Sequence, residues 1–270
     1  MPLLAKLVRR PIKVAVGAAV VVVLAQLSLG SASAAEISSP GLLAAVGGTP
    51  YLEALAQDSP THLWRLNDTA AATSVDSAGT DNLTVDASAT RGAVGPMTGE
   101  PSTATTFSGL GTVPATTTRS VAGPQSFSVE AWFKTTSTTG GKIVGFGNSR
   151  TGNSTDYDRH IYLNNAGNLT FGVYPTTYRF LTSPLTYNNG QWHHVVGSMN
   201  STGMDLFVDG RRVGHDTSTA GAELYSGYWR VGGDNLNGWS GSPSKFSFTG
   251  SLADVAVYSS ALTLSRVKAH

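Results

Sequence analysis

The sequence predicts an all-β protein, a two-sheet antiparallel jelly-roll sandwich. The chain of 270 residues has 13% charged residues and 31 glycines, and that charge content is about half the usual fraction. Little charge with abundant Gly, Ser, Thr and Asn is typical of half-buried strands joined by turns rather than of charged helices. In the second half of the chain, short alternating runs recur roughly every ten residues, as strands of a sandwich do.

The first 35 residues are predicted to be a secretory signal peptide. Basic residues precede the uncharged apolar run at residues 14–30, and the sequence ASA at 32–34 has the small-x-small form of a cleavage site. Cleavage after residue 34 or 35 makes the protein secreted. The alternative is an uncleaved membrane anchor through residues 14–30, because that run is nearly as long as the roughly 20 apolar residues that span a bilayer.

Residues 36–60 are predicted to be a lead-in with one short helix, and residues 61–270 a single domain. The helix is expected in PYLEALAQDSP, where Pro60 prevents its continuation. The next run, HLWRLND from His62, alternates as a strand does. The chain contains no cysteine, which excludes disulfides and thiolate metal sites and leaves stability to the core.

The clearest strand is SFSVEAWFK, which places Phe127, Val129, Ala131 and Phe133 on one face. Further strands are expected in KIVGFGN, DRHIYLN, NLTFGVY, YRFLTS, QWHHVVGSM, YWRVGG and FSFTGSLADVAVYSS. In MDLFVDGRRVG the pair Asp209-Gly210 predicts a type I′ hairpin turn, because Gly and Asp tolerate the positive φ that both central residues need.

Four of these motifs occur in the order typical of one family: HLWRLND, FSVEAWFK, QWHHVV with DLFVDGRRV, and FTGSLADVAVYSSAL. From about residue 62 to residue 270 the chain resembles a bacterial secreted LamG-like domain, which has the concanavalin A-like lectin/glucanase jelly roll. The resemblance implies two antiparallel sheets, one of them concave. Members of the family bind sugars, mediate adhesion or accompany secreted enzymes, so function has to be argued from a site.

Catalysis is not expected. Retaining glycosidases place two carboxyl groups about 5 Å apart, and family enzymes carry them on one strand. Here Glu130 is the lone carboxylate of its strand, and we expect it to face outward and pair with a lysine or arginine. A glycoside hydrolase with carboxylates brought together from different strands is the less favoured alternative.

Metal binding is expected to be limited. Zinc is not predicted, because the adjacent His193 and His194 point to opposite faces of a strand. The resemblance implies a structural Ca2+ site near the first and last strands, for which Asp68 and Asp254 are the candidate ligands. The usual aspartate just before VAVY is replaced by Ala253, and this departure weakens the calcium prediction.

Sugar binding is the favoured chemistry, because aromatic faces stack on pyranose rings and polar groups bond the hydroxyls. Both residue types are dense in residues 173–180 and 224–241. We expect stacking by Trp239, helped by Tyr178 or Tyr228, although the loop composition leaves open whether Trp239 is exposed or packed in a core. The predicted polar contacts are Asp234, Asn235 and Asn237.

The predicted function is that of a secreted, monomeric, non-catalytic module that binds a glycan or another surface polymer. With 18 Lys and Arg against 17 Asp and Glu, the chain has no electrostatic footprint for nucleic acid. A membrane is a partner only if the signal segment is retained. The alternative is a structural or adhesion protein that contacts other proteins through its sheets and has no sugar pocket.

Overall fold

A computed structural model describes residues 49–69, 72–98, 102–111 and 114–270. The predicted signal peptide and the alternative anchor at 14–30 lie outside these residues. Over the described ranges, every helix is too short or too polar to cross a membrane.

The first sheet is antiparallel and contains the strands nearest to both ends of the domain. Its strands are β1 (His62–Trp64), β4 (Thr90–Val94), β5 (Thr103–Ser108), β8 (Phe127–Lys134), β13 (Trp192–Asn200), β14 (Gly203–Val208), β15 (Arg211–Asp216) and β17 (Thr249–Tyr258). They lie in the order β15-β14-β13-β8-β17-β5-β4, and β1 pairs with β17. Strands from the beginning and the end of the domain are therefore neighbours in this sheet.

The second sheet is also antiparallel. Its strands are β2 (Thr73–Ser74), β3 (Leu83–Val85), β6 (Ala115–Thr116), β7 (Val121–Ala122), β9 (Gly141–Gly147), β10 (Tyr157–Leu163), β11 (Asn168–Val173), β12 (Arg179–Thr186) and β16 (Ser226–Val231). Their order is β12-β11-β10-β9-β16-β6-β3-β2, with β7 beside β16. The predicted two-sheet sandwich is confirmed.

The main core lies between the sheets and follows the period-two pattern. Phe127, Val129, Ala131 and Phe133 of β8 are all buried in it, as predicted. From the second sheet, aromatic and β-branched side chains of alternate positions meet them. Trp229 of β16, for example, packs 6.5 Å from Phe127, centroid to centroid.

The outer face of the first sheet carries a second apolar cluster, because two helices cover it. Helix α1 (Pro50–Gln57) is the predicted lead-in helix, capped by the Thr49 hydroxyl, and helix α2 (Leu264–Val267) follows β17. Leu55 of α1 and Val267 of α2 are buried in this cluster. The central strands β8 and β13 are therefore buried on both faces of the first sheet.

Two local predictions have different outcomes. The hairpin between β14 and β15 is confirmed, since Asp209 and Gly210 have φ of 50° and 70°, as a type I′ turn requires. The strand expected over 62–68 is shorter than predicted and ends at Trp64. Leu66 has a φ of 57°, and this left-handed conformation cannot continue a strand.

Candidate functional site

The segment at residues 232–247, between β16 and β17, lies across the outer face of the second sheet. Hydrogen bonds hold it there: the Lys142 amide donates to the Phe246 carbonyl (2.9 Å), and the Tyr157 hydroxyl donates to the Asn237 carbonyl (2.8 Å). Leu236 and Trp239 of the segment pack on Tyr162 of β10 in a small apolar cluster. The second sheet therefore has a covered outer face as well.

Trp239 is part of this cover and is not an exposed stacking residue. Only 4% of its surface is exposed, and its ring lies 4.1 Å from that of His160, centroid to centroid. The ring fits because β11 has Gly172 beneath it, where a Cβ would lie 2.3 Å from Cζ3 of the indole. The prediction that a sugar stacks on the open face of Trp239 is wrong, because the sheet occupies that space.

A depression of about 220 Å³ lies at the edge of this cover. Tyr178 is its most exposed aromatic side chain, at 44%, whereas Trp239 is almost fully buried. Two of the predicted site residues, Tyr178 and Trp239, therefore meet here, and the other lining residues were not predicted. The lining residues are Thr155, Asp156, Tyr157, Tyr174, Tyr178, Glu223 and Trp239.

The aromatic rings of the depression stand at steep angles to one another. Tyr174 and Tyr178 have centroids 4.9 Å apart and planes at 63°, and Tyr178 and Trp239 are also 4.9 Å apart, at 75°. Such edge-to-face contacts fix ring orientation. The depression, which we call the tyrosine pocket, therefore presents firmly held aromatic walls to solvent.

The charged groups that line the tyrosine pocket are carboxylates. Asp156 accepts a hydrogen bond from Nδ2 of Asn148 at 2.6 Å. The pKa of Glu223 is raised, first by burial and then by Asp158 and Asp156. Asp158 itself is buried and paired with Arg159, so the acidic character at the surface comes from Asp156 and Glu223.

A buried polar cluster lies behind the pocket, under the Trp239 segment. Nζ of Lys142 is 5.5 Å from the centroid of the Tyr157 ring and 3.8 Å from the Asp234 carboxylate. Burial lowers the pKa of Lys142 to about 8 and holds the pKa of His160 well below its usual value, with Lys142 as a second cause. This cluster lies beneath the cover and is closed to ligands in this conformation.

The three residues predicted to bond a sugar, Asp234, Asn235 and Asn237, form hydrogen bonds within the protein instead. Asp234 is 1% exposed, accepts from the Ser154 amide at 2.9 Å and lies 3.6 Å from the Arg230 guanidinium. It is not available to a sugar, so that prediction is wrong. Asn235 donates to the Ser154 carbonyl and accepts from the exposed Asn237, at 2.9 and 3.0 Å, which shapes the loop.

Tyr228 is separated from the tyrosine pocket. It lies on β16 opposite Gly147 of β9 and is half-buried, and it is not among the pocket's lining residues. The pocket is lined instead by Tyr157 and Tyr174, which were not predicted as site residues. Tyr174 lies in the aromatic segment 173–180 that the sequence singled out, whereas no local signal distinguishes Tyr157.

The two candidate calcium ligands are occupied by protein donors. The Asp68 carboxylate accepts from the Ser74 hydroxyl (2.6 Å) and the Val75 amide (3.0 Å), and Asp254 pairs with the Arg65 guanidinium. Across the described residues there is no group of three or more acidic or histidine side chains placed to hold a metal ion. As they are placed, these two side chains do not form a calcium site.

Glu130 projects from the outer face of the first sheet, as predicted, but it is buried there, and its partners are histidine and tyrosine rather than lysine or arginine. Its carboxylate accepts from the Tyr258 hydroxyl (2.7 Å), meets Nδ1 of His270 at 2.9 Å and lies 3.4 Å from Nε2 of His194. His270 also contacts Asp58 at 2.8 Å. The pKa of Glu130 falls to about 2: burial acts to raise it, but the hydrogen bonds and charges of the two histidines outweigh burial.

A wider depression of about 520 Å³ lies over this network. Its histidine and aspartate side chains already have partners: Asp209, for example, contacts His193 at 2.8 Å and accepts from the His194 amide at 2.9 Å. His193 and His194 do point to opposite faces, since His193 packs on Tyr187 and His194 stacks on Trp132. The lining residues are Trp132, His194, Asp209, Gly210, Arg211, Val267, Lys268 and His270. The tyrosine pocket, with its several aromatic walls, is the better candidate site.

Solved structures with a similar fold include sialidases. The Trypanosoma rangeli sialidase in complex with the inhibitor DANA aligns over 86% of this chain and 36% of its own, at 14% identity and a TM-score of 0.52. Its complex with sialic acid aligns over 78% of this chain and 32% of its own, at 15% identity and a TM-score of 0.51. This chain thus spans about a third of the sialidase chain, and at such identities the likeness concerns the fold alone.

A less similar structure is the CBM40 of the Ruminococcus gnavus IT-sialidase bound to α2,3 sialyllactose. It aligns over 54% of this chain and 82% of its own, at 20% identity and a TM-score of 0.44. A search of curated proteins found no match. The family model described as the concanavalin A-like lectin/glucanases superfamily (Laminin_G_3) matches residues 107–268. With the two-sheet sandwich, this match establishes that the chain belongs to the concanavalin A-like lectin/glucanases superfamily.

Proposed function

We propose that this chain is a carbohydrate-binding module that binds a glycan in the tyrosine pocket and does not hydrolyse it. The observation that carries the proposal is Tyr178, a large aromatic side chain that is 44% exposed beside a depression of about 220 Å³. Exposed aromatic surface costs free energy unless a partner covers it, and a pyranose ring is a partner of suitable shape and polarity.

The polar groups of the pocket suit the hydroxyls of a sugar. Asp156, Glu223 and Thr155 lie beside the rings and offer acceptors, while the Tyr178 hydroxyl offers both a donor and an acceptor. Aromatic walls with a few directed polar groups are the usual composition of small-molecule sites. Family membership supports the same proposal, since the superfamily is described as one of lectins and glucanases.

The non-catalytic part of the proposal rests on Glu130. This carboxylate is the only one on its strand, and it is fully buried against Tyr258 and His270. A glycosidic bond has no path to it in this conformation. We expect no release of reducing ends from any glycan that the protein binds. Release that is lost in Glu223→Gln would instead indicate a hydrolase.

The binding test compares Tyr178→Ala with wild type on immobilised glycans, followed by calorimetry on those that bind. We expect the variant to bind at least about tenfold more weakly, which corresponds to about 1.4 kcal/mol and is within the contribution of one aromatic contact. Leu185→Ala removes a 65% exposed apolar side chain of β12 outside the pocket and is the control. Equal glycan affinity of wild type and Tyr178→Ala would refute the assignment of the pocket.

Localisation is proposed from the sequence. The apolar run at 14–30 and the ASA motif at 32–34 support export and cleavage, and glycans are abundant outside the cell. The N-terminal sequence of the protein recovered from culture medium tests this. We expect it to begin at residue 35 or 36, and recovery only with membranes would favour the anchor.

A further inference from the structure

The walls and charges of the tyrosine pocket limit which sugars it can bind well. This inference rests on the proposed function, and it concerns the chemical class of the glycan. Three features bear on it: the angles between the rings, the sign of the accessible charge, and the exposed aromatic surface next to the pocket.

The rings form an open cage rather than a flat platform. Tyr174 and Tyr178 meet at an angle of 63° with centroids 4.9 Å apart, and the almost fully buried Trp239 packs behind Tyr178. A flat platform offers one face to a sugar, whereas a cage presents several rings to one small group. Aromatic cages favour ammonium groups, because the negative face of each ring attracts a cation.

The accessible charge of the pocket is negative. No lysine, arginine or histidine is among its lining residues, whereas Asp156 and Glu223 are. The nearby cations are withdrawn: Arg159 is fully buried and paired with Asp158, and Lys142 is fully buried against Asp234. A carboxylated sugar would therefore meet like charge, and a protonated amine would meet opposite charge.

Glu223 is the group whose charged form a bound cation would stabilise most. Its carboxylate has no hydrogen bond or ion pair with another described residue, although the side chain is half-buried. Burial, Asp158 and Asp156 raise its pKa and outweigh Arg159, which lowers it, so the pocket makes the charged carboxylate less favourable than it is in water. A protonated amine can donate hydrogen bonds to it and remove this penalty.

The aromatic surface continues beyond the cage. Phe180 of β12 is 42% exposed and pairs with Gly172 of β11, on which the Trp239 ring lies. Directly opposite residues of an antiparallel pair project from the same face, so Phe180 lies on the same side of the sheet as Trp239. It offers a second stacking surface to an adjacent sugar unit.

We propose that the tyrosine pocket recognises oligosaccharides of amino sugars through their protonated amine, with Glu223 and Asp156 as the charge partners and Tyr174 and Tyr178 as the cage. The preferred ligand is an oligomer of 2-amino-2-deoxyhexose in which at least one amine is free. N-Acetylation removes the positive charge and adds bulk, so it weakens binding. A carboxylated oligosaccharide binds most weakly.

The test measures calorimetric affinities of the full chain for four hexasaccharides of matched length: glucosamine, N-acetylglucosamine, glucose and glucuronic acid oligomers. We expect the glucosamine hexamer to bind at least about tenfold more tightly than the other three at low salt. Salt should reduce that preference, because screening weakens exposed charge pairs.

Two variants separate this inference from the proposed function. Glu223→Gln should bring the glucosamine affinity down to that for the glucose hexamer. Replacement of the exposed Glu53 on α1, away from the pocket, by Gln should leave it unchanged. If all hexamers bind equally and Tyr178→Ala weakens each, the amino-sugar inference is overturned and the proposed function stands. If Glu223→Gln leaves the glucosamine preference intact, the inference also fails. If no glycan depends on Tyr178, both fail.

Discussion

Replacement of His270 by alanine should destabilise the fold by breaking the buried contact between the C-terminal residues and the first sheet. Both ring nitrogens of His270 face carboxylates, Glu130 at 2.9 Å and Asp58 at 2.8 Å, and the imidazole and Glu130 are fully buried. The Glu130 carboxylate would keep Tyr258 at 2.7 Å but would lose its main positive partner. Its charge would then be buried without adequate compensation.

Removal of one partner from a buried ion pair costs about 3–5 kcal/mol. The Asp58 side chain is 15% exposed, so water can replace part of that contact, and we expect the lower end, about 3 kcal/mol. For a domain of this size, about 3 kcal/mol lowers the Tm by roughly 6–12 °C. Urea unfolding followed by tryptophan fluorescence gives the free energy directly.

A double-mutant cycle tests the physical reason. In a Glu130→Gln background the buried charge is absent, so His270→Ala should cost about 1–3 kcal/mol less than in wild type. The reasoning is refuted if His270→Ala changes the free energy of unfolding by less than about 0.5 kcal/mol, or if its cost is the same in both backgrounds.

The same network sets the dependence of stability on pH. The pKa of His270 is raised above its usual value: burial acts to lower it, and the hydrogen bonds and charges of Glu130 and Asp58 outweigh burial. Its contribution is complete below the unfolded pKa of about 6.5 and is lost as pH rises through the higher folded pKa. Glu130 has a pKa of about 2, so its contribution is complete above about pH 4.5 and is lost as pH falls toward 2.

These directions place maximal stability from this network between about pH 4.5 and 6.5. We expect the free energy of unfolding to fall on both sides of that range in the wild type. In His270→Ala the decline on the alkaline side should be much smaller. An equally steep alkaline decline in the variant would assign it to other groups.

Two further predictions concern the cover of the second sheet and the calcium candidates. Gly172→Ala places a Cβ 2.3 Å from the Trp239 ring. We expect the free energy of unfolding to fall by about 1–3 kcal/mol and the tryptophan emission to shift. Unchanged emission and stability would contradict the packing. The Tm should be the same in excess Ca2+ and in chelator. The reason is that Asp254 pairs with Arg65, and Asp68 accepts hydrogen bonds from a backbone amide and a hydroxyl. A higher Tm with Ca2+ would show that calcium binds the folded state.

The strands of the sandwich were predictable because their signals are local. The alternation of FSVEAWFK assigns Phe127 and Phe133 to the core, and both are buried. The DG pair at 209–210 predicts a hairpin turn, and both residues have positive φ. Each of these inferences depends on residues within a few positions of one another, where sequence patterns carry most information.

The candidate site was less predictable because it joins distant segments. Tyr178 was identified from its aromatic segment, whereas Tyr157 comes from β10 and Glu223 from the loop before β16. The sequence left open whether Trp239 is exposed or packed, and the structure buries it on Gly172, which lies 67 positions earlier in the chain. No local pattern records that a glycine on β11 leaves room for an indole.

The fold class and the core face of each clear strand follow from the sequence alone, since a period of two separates the faces of a strand. Only the tertiary structure decided what covers the outer faces. Helices α1 and α2 enclose Glu130 on the first sheet, and the Trp239 segment encloses Lys142 on the second. Alternation identifies two faces, but whether a polar outer residue meets water, a partner or another segment depends on contacts between distant parts of the chain.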